Sequence, residues 1–285
     1  MASLKDLRRR IRATKSMQQI FKAMEMVAAA KLRRAQQRAQ ASGPYSKKIS
    51  AMLANLSGAA AELEHPLFKA REVKKTALVL ITADRGFAGT YNTAVLRAAE
   101  ARLKGAPEGS VTTVVVGRKG RDYLRRRGYP VLTAYTDLPG EASLELARQI
   151  TSELTELYLK GEVDRVEILY THFVNAITRK ITAETFLPIG ADTGADGPSD
   201  AGAIFEPNAE TIFAELLPRY ATAKLYAALA DSLASEHSAR MVAMGSARKN
   251  AGELVDSLTL TRNRLRQAAI TREISELVGG AEALK

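Results

Sequence analysis

The segment Thr261-Arg262-Asn263-Arg264-Leu265-Arg266-Gln267-Ala268-Ala269-Ile270-Thr271-Arg272-Glu273-Ile274-Ser275-Glu276-Leu277-Val278-Gly279-Gly280-Ala281 contains no proline and only one glycine pair, at its far end. It reads as the end of one long helix. Working back towards the N-terminus, no strong stop appears before Pro207, a residue that can open a helix because its missing N–H would be unpaired there anyway. Pro218 lies inside the pattern, but Phe213, Leu216, Leu217, Tyr220, Leu225, Leu229 and Leu233 continue across it, so a kink is expected there and not an end. About seventy residues at roughly 1.5 Å each would make a rod on the order of 100 Å long, for which an ordinary domain has no room. The Gly279-Gly280 pair is the expected stop, with poorly ordered or externally held residues after it.

The other end of the chain is helical too. From Ser3 to about Gly58 it is rich in Ala, Lys, Arg, Gln and Met, with one internal breaker at Gly43-Pro44, where a kink or short break is expected. Apolar residues fall at Leu4, Leu7 and Ile11 and again at Met17, Ile20, Met24 and Val27, spaced by three and four as in a stripe that meets a partner helix. The step of six between Ile11 and Met17 breaks heptad phase, so a regular zipper is not expected.

Between the two helices the period changes. Thr76 to Thr82 and Val111 to Val116 are short, continuous, branched apolar runs that suit buried parallel strands, and 131–135, 163–170 and 177–186 read as further strands. Helical patterns at 91–104, 118–128 and 141–160 alternate with them, which argues for an open α/β sheet of crossover units. Residues 190–208, rich in Gly, Asp, Ala, Ser and Pro, read as a flexible loop. The fold expected is therefore α/β: a long antiparallel coiled coil of the N- and C-terminal helices with an inserted open, Rossmann-like domain. The expected segments are 1–58, 76–190 and 207–285. The C-terminal helix, longer by about fifteen residues, should end in an unpaired tip.

Charge and composition bound the function. The chain has 285 residues, a net charge of +11 and no cysteine, which excludes a disulfide framework, a thiolate site and a cysteine nucleophile. Residues 1–40 hold eleven Lys or Arg against Asp6 and Glu25, so this arm alone carries +9. Such an arm implies nucleic acid, an anionic membrane or an acidic protein surface, or else a solvated helix face. Few aromatics interleave its charges, against single-strand binding by stacking. No run of eighteen apolar residues stands together, and the start lacks a signal-peptide pattern.

No constellation reads as an active site. The loop Ala83-Asp84-Arg85-Gly86-Phe87-Ala88-Gly89-Thr90-Tyr91-Asn92 follows the first strand, where nucleotide-binding domains hold phosphates, but it has neither standard glycine pattern. It reads as a tight turn in which Gly86 and Gly89 allow close packing and Asp84 or Arg85 caps or pairs locally. His65, His172 and His237 lie in separate segments without metal-ligand spacing. No G-x-S-x-G elbow is present. Neither catalytic residue, cofactor nor metal is expected.

Four motifs do resemble a known family. Ile270 to Ala283, Ile20 to Leu32, the Ala83 to Asn92 loop, and Ser235-Glu236-His237-Ser238-Ala239-Arg240-Met241-Val242-Ala243-Met244 are similar, in the correct order, to the gamma subunits of F-type ATP synthases. The resemblance implies a non-catalytic rotor shaft that couples proton flow to ATP synthesis or hydrolysis. Its coiled coil would lie inside the ring of alternating alpha and beta subunits, its α/β foot on the membrane-embedded c-ring, with the epsilon subunit as a further partner. It implies that Arg266, Gln267 and Thr271 contact a beta-subunit loop, with Arg262 and Arg9 on the same contact surface, and that the basic arm faces an acidic beta loop. It also implies no nucleic acid, no membrane span, and a peripheral place on the cytoplasmic face of a bacterial plasma membrane. Phe87-Ala88-Gly89-Thr90 departs from the commoner Leu-Cys-Gly-Gly, and the cysteine-bearing insertion of the plant chloroplast form and a transit peptide are both missing. Without the resemblance, the alternative is a basic coiled-coil nucleic-acid-binding or scaffold protein.

Overall fold

The structure, a computed structural model, describes residues 3–62, 66–190 and 209–283. The elements run α1 (Leu4–Glu62), β1 (Thr76–Ile81), α2 (Tyr91–Gly105), β2 (Val111–Val116), α3 (Arg118–Arg126), β3 (Val131–Tyr135), α4 (Leu144–Leu159), β4 (Arg165–Phe173), β5 (Arg179–Leu187) and α5 (Ala209–Ala283). The chain divides into two compact units, one of Ala29–Arg240 and one of Met1–Ala28 with Met241–Lys285.

In the larger unit the five strands form one sheet in the order β3-β2-β1-β4-β5. The first four are parallel, as continuous apolar runs require when both faces are covered. β5 differs from the crossover expectation: it pairs antiparallel with β4. The connection 174–178 is too short for a crossover, which needs a dozen residues or more, and Asn175 closes it by accepting the N–H groups of Ile177 and Thr178 at 2.9 and 2.8 Å.

Side chains alternate across the sheet. Val79, Ile81, Val114, Val116, Ile168 and Tyr170 pack on one face with Ile150, Leu154 and Tyr158 of α4 and Phe213, Leu217, Leu225 and Leu229 of α5. Leu78, Leu80, Val115 and Leu169 pack on the other with Val95, Leu96 and Ala99 of α2 and Leu124 of α3. α4 begins at a capping serine, Ser143, whose hydroxyl accepts the Leu146 N–H.

The smaller unit is a two-helix seam. On α1 the residues Leu4, Leu7, Ile11, Thr14, Gln18, Phe21, Glu25 and Ala28 step by three and four without a break, and none is exposed. On α5 the same steps run through Met241, Met244, Arg248, Ala251, Val255, Leu258, Arg262, Leu265 and Ala269, again with none exposed. The pairing is antiparallel: Gln18 lies over Gly252, while Glu25 lies over Gly245 and bonds Arg248. Heptad phase is thus strict, contrary to the expected break. Met17, Ile20 and Val27, expected in the stripe, are more than half exposed. Thr14, Gln18 and Glu25 keep the phase of Leu7 and Ile11, and an apolar-only pattern cannot see them.

Two other outcomes differ from the sequence pattern. There is no break at Gly43-Pro44, through which α1 runs helical, and α5 runs through Gly279-Gly280 to Ala283. A helical glycine costs about 1 kcal/mol relative to alanine, which weakens a helix but does not end it unless the glycine turns left-handed. Gly279 keeps a φ outside that region. Pro218 sits within α5, as expected. Pro207 and the loop 191–208 lie outside the described residues.

The sheet's upper rim depends on one glycine. Gly117 has φ +101°, and a Cβ there would stand 2.3 Å from the Thr82 carbonyl oxygen, so both strain and overlap oppose any side chain. Replacing Gly117 by alanine should lower the stability of the larger unit by about 2–3 kcal/mol in urea unfolding. Gly109→Ala is the control, with φ +74° but open space; it should cost only about 1–2 kcal/mol. Equal losses at the two sites would rule out the overlap.

Candidate functional site

Doubly wound sheets bind nucleotides in the crevice beyond the carboxyl ends of the strands, at the point where strand order reverses. Here that point lies between β1 and β4. Register between the two ends at the pair Leu80 and Leu169, so β4 continues without β1 beside it. α5 supplies what is missing. Ser232 Oγ accepts the Thr171 N–H at 3.3 Å, and Ser235 Oγ donates to the Thr171 carbonyl at 3.0 Å. Further along, Ser238 donates to the Ala176 carbonyl and Arg240 donates to the Gly86 carbonyl at 3.1 Å.

The crevice is consequently filled. The space left between Tyr91, Leu138, Ser232 and Glu236 is about 40 Å³, whereas ligand pockets run to about 300–1,000 Å³. The loop after β1 acts as a buckle. Asp84 accepts the backbone N–H groups of Arg118 and Leu138 at 2.7 and 2.6 Å, tying three loops together. Asn92 Oδ1 accepts the Ala83 N–H at 3.0 Å. The local capping or pairing expected of Asp84 is replaced by bonds to backbone groups distant in sequence. Gly89 adopts φ +53°, but a Cβ on Gly86 would meet open space, so close packing is not its role.

Behind the buckle lies a buried polar group. Glu236 and Arg240 pair at 2.6 Å with both side chains largely covered, and burial raises the Glu236 carboxyl above its ordinary range. Burial, then the nearby Arg240 and Lys31 charges, push His237 down to about 4. His172 pairs instead with Asp231, and His65 lies outside the described residues. Among the described residues no three His, Cys, Asp or Glu side chains are grouped to hold a metal, and no helix is long and apolar enough to cross a membrane.

The smaller unit carries much of the exposed positive charge of the N-terminal arm. α1 opens with a reciprocal cap, Ser3 Oγ donating to Asp6 at 2.9 Å and accepting the Asp6 N–H at 3.1 Å. The Ser3 hydroxyl is the main reason Asp6 titrates below its ordinary range. Arg9 reaches Asp6 at 3.4 Å and is otherwise exposed. Antiparallel register brings Arg8, Arg9, Arg10 and Arg12 level with Arg262, Arg264 and Arg266 of α5, forming a basic belt. Arg262 is half-buried and donates twice to Asn263 Oδ1, at 3.3 and 3.0 Å. Arg266, Gln267 and Thr271 are exposed, and every residue from Thr271 to Gly279 is exposed, beyond the reach of α1. Arg9 and Arg266 are thus exposed, Arg262 is half-buried in the seam, and Thr271 lies on the unpaired tip. The seam residues Gln18, Glu25 and Arg248 were missed, although their 3–4 spacing was present to be read.

The switch-point crevice is filled by the chain's own α5, and the smaller unit carries an exposed run of arginines. A family model described as ATP synthase matches residues 3–284. The ATP synthase gamma chain of Heliobacterium modesticaldum is 46% identical over 292 aligned positions, covering 100% of both chains. That of Moorella thermoacetica is 46% identical over 287, again covering 100% of both. The central-stalk chain of the Tetrahymena thermophila mitochondrial ATP synthase superposes with a TM-score of 0.65 at 26% identity, covering 80% of this chain and 99% of that one. A rotor chain of the Euglena gracilis enzyme shares the fold, with a TM-score of 0.68 at 19% identity over 94% of this chain and 98% of that one. The chain belongs to the ATP synthase gamma chain family. It is a non-catalytic subunit of a membrane-associated complex, and the nucleic-acid or scaffold alternative has no support.

The depressed His237 gives a pH test. Between about pH 6.5 and 4 the unfolded chain takes up a proton at this residue that the folded chain does not, so His237 removes stability as pH falls through that window. Urea midpoints of the parent should fall more steeply from pH 7 to pH 5 than those of His237→Gln. Parallel slopes would refute the assignment.

Proposed function

We propose that this chain is the central rotor shaft of an F-type ATP synthase, coupling proton flow through a membrane ring to ATP synthesis or hydrolysis at catalytic sites carried by other subunits. The observation that carries the reading is the antiparallel seam with a basic belt and an unpaired, exposed tip. The gamma-chain relatives and the central-stalk neighbour solved with its c-ring support it. The partners are the alpha and beta subunits around the seam, the epsilon subunit, and the c-ring. Segments 1–58 and 207–285 serve as shaft and 76–190 as foot. The bacterial sources of the similar gamma chains support a place on the cytoplasmic face of a bacterial plasma membrane.

Arg9, Arg262, Arg266, Gln267 and Thr271 are the beta-subunit contacts in this reading. Rotation presents different faces of the seam to each catalytic site, and each site shifts state by its difference in contact energy with the shaft. Moving a site from about 1:99 to 99:1 needs about 5.5 kcal/mol. One exposed ion pair supplies about 0–1 kcal/mol, so the work is spread over the belt.

Expected results follow in graded order. Arg266→Ala alone should leave ATP-driven proton pumping by the assembled complex within about twofold. The triple change Arg9→Gln, Arg262→Gln and Arg266→Gln should lower it well beyond that. Removal of the residues after Leu265 should weaken coupling while the larger unit keeps its unfolding midpoint. Unfolding of that unit on truncation, or tight ATP or ADP binding by the purified chain, would overturn the assignment.

A further inference from the structure

The apolar layers of the seam do not by themselves choose a register. Sliding α5 by one heptad, about 10 Å, sets apolar residue against apolar residue almost as well: Leu7 would meet Leu258 in one direction, and Phe21 would meet Leu258 in the other. What distinguishes the observed register is polar. Glu25 Oε2 accepts Arg248 Nε at 2.8 Å, with the side chains 28% and 43% exposed. In the slid registers Glu25 would face Val255 or Met241 and lose its charge partner.

Shape repeats the same message one heptad away. A Cβ on Gly245 would stand 3.1 Å from Glu25 Oε1, and a Cβ on Gly252 would stand 2.9 Å from Gln18 Nε2. Gln18 and Glu25 are seven residues apart, and so are Gly245 and Gly252. Gln18 and Glu25 therefore each lie across a glycine of α5, and these two glycines stand mid-helix despite their cost to helix stability. The glycines alone would still admit a slide that puts Gln18 over Gly245 or Glu25 over Gly252. Arg248 removes that ambiguity.

We infer that the Glu25–Arg248 pair, framed by Gly245 and Gly252, is the register-setting layer of the seam and thereby positions Arg262, Arg266 and Thr271 along and around the axis for their partner. Its consequence for coupling rests on the rotor reading; its consequence for register does not. A buried or half-buried ion pair is weak evidence for stability, but fixing register is the best-attested use of a polar layer in a helical seam. Glu25 and Arg248 act through the tip and are positioning residues.

The chain has no cysteine, so introduced pairs report register cleanly. In the assembled complex, Thr14→Cys with Leu258→Cys traps the observed register. Thr14→Cys with Ala251→Cys, or with Leu265→Cys, traps the two slid ones. The parent should yield only the first disulfide. Arg248→Met, which keeps volume and leaves an apolar layer that folds, should let the slid disulfides form at a several-fold higher yield and lower proton pumping per ATP. The exchange Glu25→Arg with Arg248→Glu should restore both readouts. Arg248→Met complexes that cross-link only in the observed register and pump as the parent does would overturn the inference. Slid cross-links with unchanged pumping would uphold the register role and count against the rotor reading instead.

Discussion

Thr171 extends past the end of its neighbour β1, and the hydrogen bonds that its N–H and carbonyl would have lost are made by Ser232 and Ser235 of α5. Unpaired buried backbone groups cost about 1–3 kcal/mol each, so this substitution of a helix's side chains for a missing strand holds α5 at the reversal point of the sheet. Much else depends on it. Small residues at 234, 235, 238 and 239 are buried there because the helix approaches closely. The charged pair Glu236–Arg240 is buried because it travels on the same helix, and its cost is offset by the bond from Arg240 to the Gly86 carbonyl. A fold able to hold a nucleotide has instead given its ligand crevice to its own C-terminal helix.

That helix also explains why one element carries two sequence logics. In the larger unit α5 packs apolar and small residues against sheet and α4 side chains, and from Ala228 to Arg240 none of its residues is exposed. From Met241 onward it keeps only a 3–4 seam and leaves the remaining faces to solvent. An average of apolar periodicity over the full length cancels the two patterns. The change of pattern falls at Arg240 and Met241, where the compact units divide.

The α/β core was legible because burial on both faces leaves a local signature. Runs such as Thr76 to Ile81 announce a central parallel strand, and the helices between them follow from amphipathic spacing. The antiparallel β5 was less legible, since its only cue is the shortness of 174–178. In the seam the missed residues were polar. Glu25 can sit at a seam position because Arg248 approaches from a helix more than two hundred residues away, a pairing that no local window contains. Conversely, Met17, Ile20 and Val27 satisfied a local apolar pattern yet stay exposed, because only one face of α1 meets α5. The belt was visible as composition in residues 1–40. That its α5 members stand level with Arg8 to Arg12 needed the antiparallel register.

The arginines of the belt are not equivalent. Arg266 and Arg264 are exposed side chains with full rotamer freedom, so a partner that binds them must first order them, at about 0.5–1.5 kcal/mol each. Arg262 is already held: its guanidinium donates from two nitrogens to Asn263 Oδ1, and the residue is half-buried in the seam. A preordered guanidinium loses less entropy for each hydrogen bond it forms, and its planar fork suits a carboxylate acceptor. Arg262 is thus suited to register the angular position of the seam, while its freer neighbours supply long-range attraction that salt screens over about 8–10 Å. In the rotor reading, division of the belt into one oriented cation and several loose ones would let the surface attract at all angles yet bind most strongly at one, as a symmetric ring of partners needs if it is to sense an asymmetric shaft.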